Sequence, residues 1–294
     1  MKSRNAFSDR QGCRPAMLML LALITACRGE APVESPAPSQ PRLVTLAPHL
    51  AELVYSAGAG DYLVGVSAYS DFPEQVSSLP VVSDGFRIDA EALLAARPTL
   101  VLAWGGGGQV SSLALLEQLE IPFEVIESRR LADVAPAIRR IGQIAGSSAI
   151  ADSAATAFEQ AMSSPGPSDS KTEAITVFYQ IGSEPIYTVS GEHFISDVLA
   201  LCGGRNVFSS LDTAVATVSV ESVVLADPEV LLGAGDSSER RAVWQQFSTM
   251  QAVRADTIYG VSGDALARPS ARLLQGKAEV CAVLDEARSK RAPD

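Results

Sequence analysis

Ile88-Asp-Ala-Glu-Ala-Leu-Leu-Ala-Ala-Arg-Pro-Thr-Leu-Val-Leu-Ala-Trp-Gly-Gly106 runs in register with Val218-Ser-Val-Glu-Ser-Val-Val-Leu-Ala-Asp-Pro-Glu-Val-Leu-Leu-Gly-Ala-Gly-Asp236. Glu91 matches Glu221, Ala96 matches Ala226, Pro98 matches Pro228, Leu102 matches Leu232 and Gly105 matches Gly235. Each copy reads as a short helix, a proline stop and a buried strand. Asp89 and Ser219 stand where a cap belongs, the glutamates fall in the first turn where the helix dipole favours an anion, and each proline forbids the helix to continue. The apolar runs Leu100–Ala103 and Val230–Leu232 are short and continuous, as in strands covered on both faces. A unit that occurs twice in one chain implies two similar lobes.

The same alternation extends outward from both copies. Leu43–Leu46 reads as a strand, His49–Ala57 as a helix and Leu63–Val66 as a strand; in the second half Ile175–Ile181 reads as a strand and His193–Leu201 as a helix ending at Gly203-Gly204. Alternating strands and helices imply an α/β fold with a parallel sheet in each lobe, and ligands of such sheets gather beyond the carboxyl ends of the strands. Between the halves, Leu131–Ala145 and Ser148–Met162 carry helical periodicity, and the second stops at Ser163-Ser-Pro-Gly-Pro167. The expected domains are an N-terminal lobe over 42–145, a connecting helix over 146–166 and a C-terminal lobe over 167–290, with a ligand cleft between the lobes. A single helical connection leaves little room for large hinge closure.

The first 26 residues read as an address. Lys2, Arg4, Arg10 and Arg14 precede the apolar run Ala16–Ala26, too short for a membrane span and typical of a secretory signal. The run closes on Leu23-Ile24-Thr25-Ala26-Cys27, which resembles a bacterial lipobox, so Cys27 is the expected lipidation site. Acyl chains contribute about 0.8 kcal/mol per buried methylene, enough for lasting attachment when two or three are present. Residues 27–41, with Pro32, Pro36, Pro38 and Pro41, suit an extended spacer. The expected location is periplasmic and membrane-anchored. Losing the basic leader makes a chain of formal net charge −11 more acidic still, which argues against nucleic acid as a partner. With Cys13 removed and Cys27 acylated, Cys202 and Cys281 remain, and an oxidising compartment makes their pairing the default.

Gly105-Gly-Gly-Gly108 follows a strand but is not a phosphate loop, because Gln109-Val110 stand where the lysine and hydroxyl would be needed. The glycines instead let a bulky ligand approach the backbone, beside the flat apolar face of Trp104. A hydrolase is disfavoured: the chain has no Gly-x-Ser-x-Gly elbow, no His-Glu-x-x-His helix and only two histidines, far apart.

Arg42-Leu-Val-Thr-Leu-Ala-Pro-His49 with Glu52, Val64-Gly-Val-Ser-Ala-Tyr-Ser-Asp-Phe-Pro73, Arg97-Pro-Thr-Leu-Val-Leu-Ala-Trp104, Leu201-Cys-Gly-Gly-Arg-Asn-Val-Phe208 and Thr217-Val-Ser-Val-Glu221 resemble the periplasmic cobalamin-binding proteins of ABC importers. The resemblance covers about residues 42–290 and places the chain in the wider superfamily that binds cobalamin, haem and ferric siderophores. It implies a binding protein with no catalytic role and no intrinsic cofactor, acting as a monomer that carries a cobalt corrinoid to a permease and ATPase complex. It makes Tyr69 and Trp104 corrin-contacting aromatics. It places Asp264, Ala265, Leu266, Ala267 and Arg268 in a loop on the ligand's amide-bearing rim, with Asp264 and Arg268 as hydrogen-bonding partners. Glu91 and Glu221 match paired glutamates that meet permease arginines, and Cys202 and Cys281 fall where the family has a disulfide.

The chain also departs from that pattern. Gly85, Ile181 and Val215 stand where cobalamin binders carry further aromatics, with Phe86 next to the first of them. Phe72 aligns with the tyrosinate of haem-binding relatives, and a phenyl ring cannot coordinate iron, so haem is the alternative ligand rather than the first. His49 aligns with a small ligand-facing residue, which makes its imidazole a candidate axial ligand to a bound metal; the other reading is a helix-start histidine bonded to backbone or solvent.

Overall fold

The computed structural model describes residues 40–106, 110–164 and 173–291. The leader, Cys27, most of the proline spacer and the second half of the glycine run lie outside them.

The two copies of the repeat fold alike down to their caps. The first gives helix α2 (Ala90–Ala96), and the second gives helix α7 (Val220–Ala226). Asp89 accepts from the Ala92 amide at 3.0 Å, and Ser219 accepts from the Ser222 amide at 3.2 Å. Both helices end on a left-handed residue, Arg97 at φ 45° and Asp227 at φ 40°. Strands Leu100–Trp104 and Val230–Ala234 follow.

In the first lobe, β1 (Leu43–Thr45), helix α1 (Pro48–Ser56), β2 (Leu63–Ser67), β3 (Val81–Ser83), α2, β4 (Leu100–Trp104), α3 (Val110–Gln118) and β5 (Phe123–Ile126) build one sheet in the order β3-β2-β1-β4-β5. All four of its pairings are parallel, as expected. Strand residues alternate between two layers. Val44, Val101 and Ala103 face an outer cluster with Leu93 and Leu116, whereas Leu43 and Leu102 face the molecule's main core. That alternation is the period of two that a sheet buried on both faces requires.

Helices α4 (Val134–Ala145) and α5 (Ser148–Ser163) connect the halves. They turn at Gly146, whose φ of 74° is left-handed, and approach so closely that a Cβ on Gly142 would sit 2.2 Å from that of Ala151. The expected strut is therefore present, about 24 Å long at 1.5 Å per residue, and braced along α4.

The second lobe contains β6 (Ile175–Ser183), β7 (Ile186–Val189), α6 (Phe194–Leu201), β8 (Gly204–Asn206), β9 (Val215–Thr217), α7, β10 (Val230–Ala234), α8 (Ser238–Trp244), α9 (Gln251–Arg254), β11 (Ile258–Val261), α10 (Gly263–Ala267) and α11 (Leu273–Ser289). Its sheet runs β11-β10-β6-β7-β9, with β8 beside the first half of β6. Here the expectation of a parallel sheet needs amending: β7 is antiparallel to β6 and to β9. Gly182-Ser-Glu-Pro185 reverses the chain within a few residues, and a connection so short can only join antiparallel neighbours.

Behind both sheets lies one continuous core. It takes Leu43, Leu50 and Leu102 from the first lobe, Ile138, Ile141 and Phe158 from α4 and α5, and Val177, Leu232, Val198 and Leu284 from the second. The last helix fastens this assembly. Cys281 of α11 is bonded to Cys202 at the end of α6. One turn earlier, the Lys277 ammonium donates to the carbonyls of Ala161, Met162 and Ser164 at 3.0, 2.9 and 2.6 Å. Carbonyls at a helix C-terminus lack intrahelical donors and carry the negative end of the dipole, so a cation there satisfies both.

Candidate ligand-binding site

The carboxyl ends of the first lobe's strands carry a row of displayed rings. Tyr69 follows β2, is 81% exposed, and sits at φ 63° in the left-handed region. A bulky residue held there costs on the order of 1–3 kcal/mol, a strain that persists only where surrounding contacts enforce it. Phe86 follows β3 and is 75% exposed. Its turn is set locally, since the Asp84 carboxylate accepts from the amides of Phe86 and Arg87 at 2.8 and 2.7 Å. Phe72 is half-exposed, and Trp104 at the end of β4 is half-buried. A Cβ on Gly106 would lie 2.8 Å from the Trp104 indole, so only glycine lets the chain turn under that ring.

Trp104 rests on His49, the two rings meeting edge to face with centroids 4.9 Å apart. Of the two readings of His49, this placement favours the structural one over a metal ligand. The imidazole is only 4% exposed, its Nε2 lies 3.1 Å from the Ser128 hydroxyl, and it is a buried support beneath the tryptophan. Burial, reinforced by the nearby Arg268 charge, lowers its pKa to about 3, so the ring is neutral at any ordinary pH. Among the described residues, no cluster of three or more His, Cys, Asp or Glu side chains is arranged to hold a metal ion.

The second lobe presents α10 to the seam. The five residues expected to form one ligand-facing loop divide into two sets. Asp264 and Ala267 are exposed, whereas Ala265 and Leu266 are fully buried, because a helical turn must point some of its residues inward. Ala265 and Leu266 therefore pack the core and do not line the cleft. Ile181 on β6 and Val215 on β9, the positions expected to lack rings, are both about half exposed on that side of the sheet.

Arg268 leaves α10 and crosses to the first lobe. Its guanidinium donates to Glu52 Oε1 at 2.9 Å, Asp71 Oδ1 at 2.6 Å and the Tyr69 carbonyl at 3.0 Å. Glu52, on α1, is 3% exposed and also accepts from the Ser270 hydroxyl at 2.5 Å and from Arg272 at 3.4 Å. The Arg272 guanidinium lies 4.6 Å from the centre of the Phe72 ring. The Arg268 hydrogen bond holds the Asp71 carboxyl below its ordinary pKa. A second set of contacts crosses nearby: Arg130 donates to both Asp197 oxygens at 3.1 and 2.5 Å and to Glu192 at 2.9 Å. Asp71, Ser270 and Arg272 carried no signal in the sequence, since about two hundred residues separate them from their partners.

Glu91 and Glu221 occupy equivalent first-turn positions on α2 and α7, both exposed. A helix that precedes a parallel strand runs opposite to it, so both glutamates stand at the carboxyl ends of the strands, the same end as Tyr69 and Trp104. The Glu221 carboxyl is held below its ordinary pKa by its own amide and by the Ser219 hydroxyl.

Comparison with known proteins agrees with this geometry. Residues 43–260 match the periplasmic binding protein family. The chain is 33% identical over 251 residues to a vitamin B12-binding protein of Vibrio campbellii, covering 85% of this chain and 91% of the relative. Its structure is similar to the crystal structure of the periplasmic vitamin B12 binding protein BtuF of Vibrio cholerae, at TM-score 0.76 and 32% identity, covering 84% of this chain and 97% of that one. The periplasmic heme binding protein HutB of Vibrio cholerae shares the fold at TM-score 0.73 and 21% identity, over 84% of this chain and 99% of that one. These relatives are binding proteins rather than enzymes. This chain belongs to the periplasmic binding protein family.

Proposed function

We propose that this chain is the lipid-anchored periplasmic receptor of an ABC importer, and that it captures a corrinoid, cobalamin or cobinamide, between its lobes. The observation that carries the reading is the set of rings at the strand ends: Tyr69 and Phe86 stand largely exposed, and Trp104 is half-buried at the end of β4. Broad apolar faces bordered by hydrogen-bonding groups fit a flat macrocycle rimmed with amides. Kinship with vitamin B12-binding proteins at a third identity supports the same ligand.

The lobes divide the work. The first supplies stacking surface, the second a smaller aliphatic face in Ile181 and Val215, with Asp264 and Ala267 at the rim. Binding needs no chemistry and no axial protein ligand. Phe72 offers no oxygen to haem iron, which favours the corrinoid over haem. Glu91 and Glu221 meet basic side chains of the permease when the loaded receptor docks. Exposed ion pairs contribute about 0–1 kcal/mol each, so they set orientation and encounter rate more than holding strength. Cys27 carries the lipid.

Isothermal titration with cobalamin, cobinamide, haemin and a ferric siderophore tests the reading. Tight, reversible binding of the corrinoids without turnover is expected; binding to none of the four overturns it.

A further inference from the structure

We infer that Arg268, with Glu52 and Arg272, is a cross-lobe positioning clamp: the second lobe holds the ring-bearing loop of the first, so the site is formed in advance and only at the present lobe separation. The inference rests on the ligand site proposed above and concerns how that site is kept in shape.

The 69–72 loop is gripped from the opposite lobe at three successive points. Arg268 takes the Tyr69 carbonyl and the Asp71 carboxylate, and Arg272 lies over the Phe72 ring. Tyr69 is left-handed and largely exposed, so its conformation gains little from its own side-chain packing and needs an external hold. The hold is anchored on Glu52, a carboxylate buried beneath the seam that receives Arg268, Arg272 and Ser270 from the second lobe. A buried carboxylate is tolerated only when charges and donors of this kind surround it. Separating the lobes would strip Glu52 of all three partners and release Tyr69 in the same movement. Lobe separation and loop shape are thus one variable.

This assigns Arg268 a task other than touching the ligand's rim. Glu52 separates the two roles, because at 3% exposure it cannot contact a ligand but does anchor the clamp. If the clamp pre-forms the site, Glu52→Gln lowers the population competent to bind, which slows association while dissociation stays near the wild-type rate. Removing a direct contact would instead speed dissociation.

Two measurements on the full-length chain test this. In ligand-free protein, hydrogen exchange of the segment after Tyr69 should accelerate at least tenfold in Glu52→Gln, with the outer layer of either lobe unchanged. In stopped-flow binding of cobalamin, the association rate should fall about tenfold and the dissociation rate less than twofold. Asp71→Asn, on the exposed side of the clamp, should give the same pattern at about threefold and serves if the Glu52 variant does not fold. Unchanged exchange in the loop overturns the clamp, as does general acceleration across the whole chain or an affinity loss carried by dissociation. If wild-type protein binds no corrinoid, the functional reading fails while the exchange measurement still judges the clamp.

Discussion

The two lobes are built from the same repeated unit, yet they end differently. Their α2–β4 and α7–β10 segments share cap, left-handed stop and first-turn glutamate. Past the strand ends the likeness stops: the first lobe displays Tyr69, Phe86 and Trp104, the second Ile181 and Val215 on a sheet turned partly antiparallel. On the function proposed above, what is duplicated is the part a twofold-repeated partner would read, and what has diverged is the part that would face a ligand lacking that symmetry.

Breaking the comparison begins with stability. The bond between Cys202 and Cys281 lies wholly in the second half and spans 79 residues. Replacing both with serine should lower unfolding free energy by about 4.5 kcal/mol on the chain-entropy model, measured by urea denaturation. A change below about 1 kcal/mol would mean that Lys277 and the core hold α11 without it.

The next effect is on binding. Tyr69→Ala should weaken corrinoid affinity by about 2 kcal/mol, roughly thirtyfold, as expected for an exposed ring at the centre of a site. Ile181→Ala should cost only about 1 kcal/mol, in proportion to its smaller apolar area. Equal losses in titration would refute the unequal division between lobes.

Each lobe also holds one histidine, His49 buried and His193 partly buried, with pKa lowered by desolvation to about 3 for His49 and about 4 for His193. Both lie below the ordinary value of 6.5, so the unfolded chain takes up protons first as pH falls. Their contribution is full above pH 6.5 and is lost progressively below it, at about 1.4 kcal/mol per pH unit per histidine. His193→Asn, which keeps an acceptor for the Ile195 amide, should roughly halve that slope between pH 6.5 and 4 in thermal melts. An unchanged slope would show that carboxylates dominate.

The smallest effect in binding is expected from Glu91→Ala with Glu221→Ala. Corrinoid affinity should stay within twofold of wild type, while transport in a reconstituted importer falls. Equal loss of both would contradict a docking role.

The repeat, the strut and most strands were legible in the sequence because local signals carry them: a cap, a proline, an apolar run. The β6–β7 hairpin was missed, although Gly182-Ser-Glu-Pro185 carries a turn signal that could have shown it. So was α11, although Leu273, Val280, Leu284 and Ala287 recur at helical spacing and are buried. The clamp was not legible. Glu52, Asp71, Ser270 and Arg272 meet only after both lobes have formed, and nothing near any of them in the chain announces a partner two hundred residues away. His49 shows the converse: its residue type left both a metal ligand and a helix-start support open, and its burial beneath Trp104, which no local pattern announces, favours the support.

Lys277 and Cys281 lie one turn apart on the same helix and grip two different elements, the strut and α6. A chain emerging N-terminus first can build sheets, caps and rings, but it cannot lock them together until this last helix arrives. The fold is therefore stitched shut only once α11 has been made.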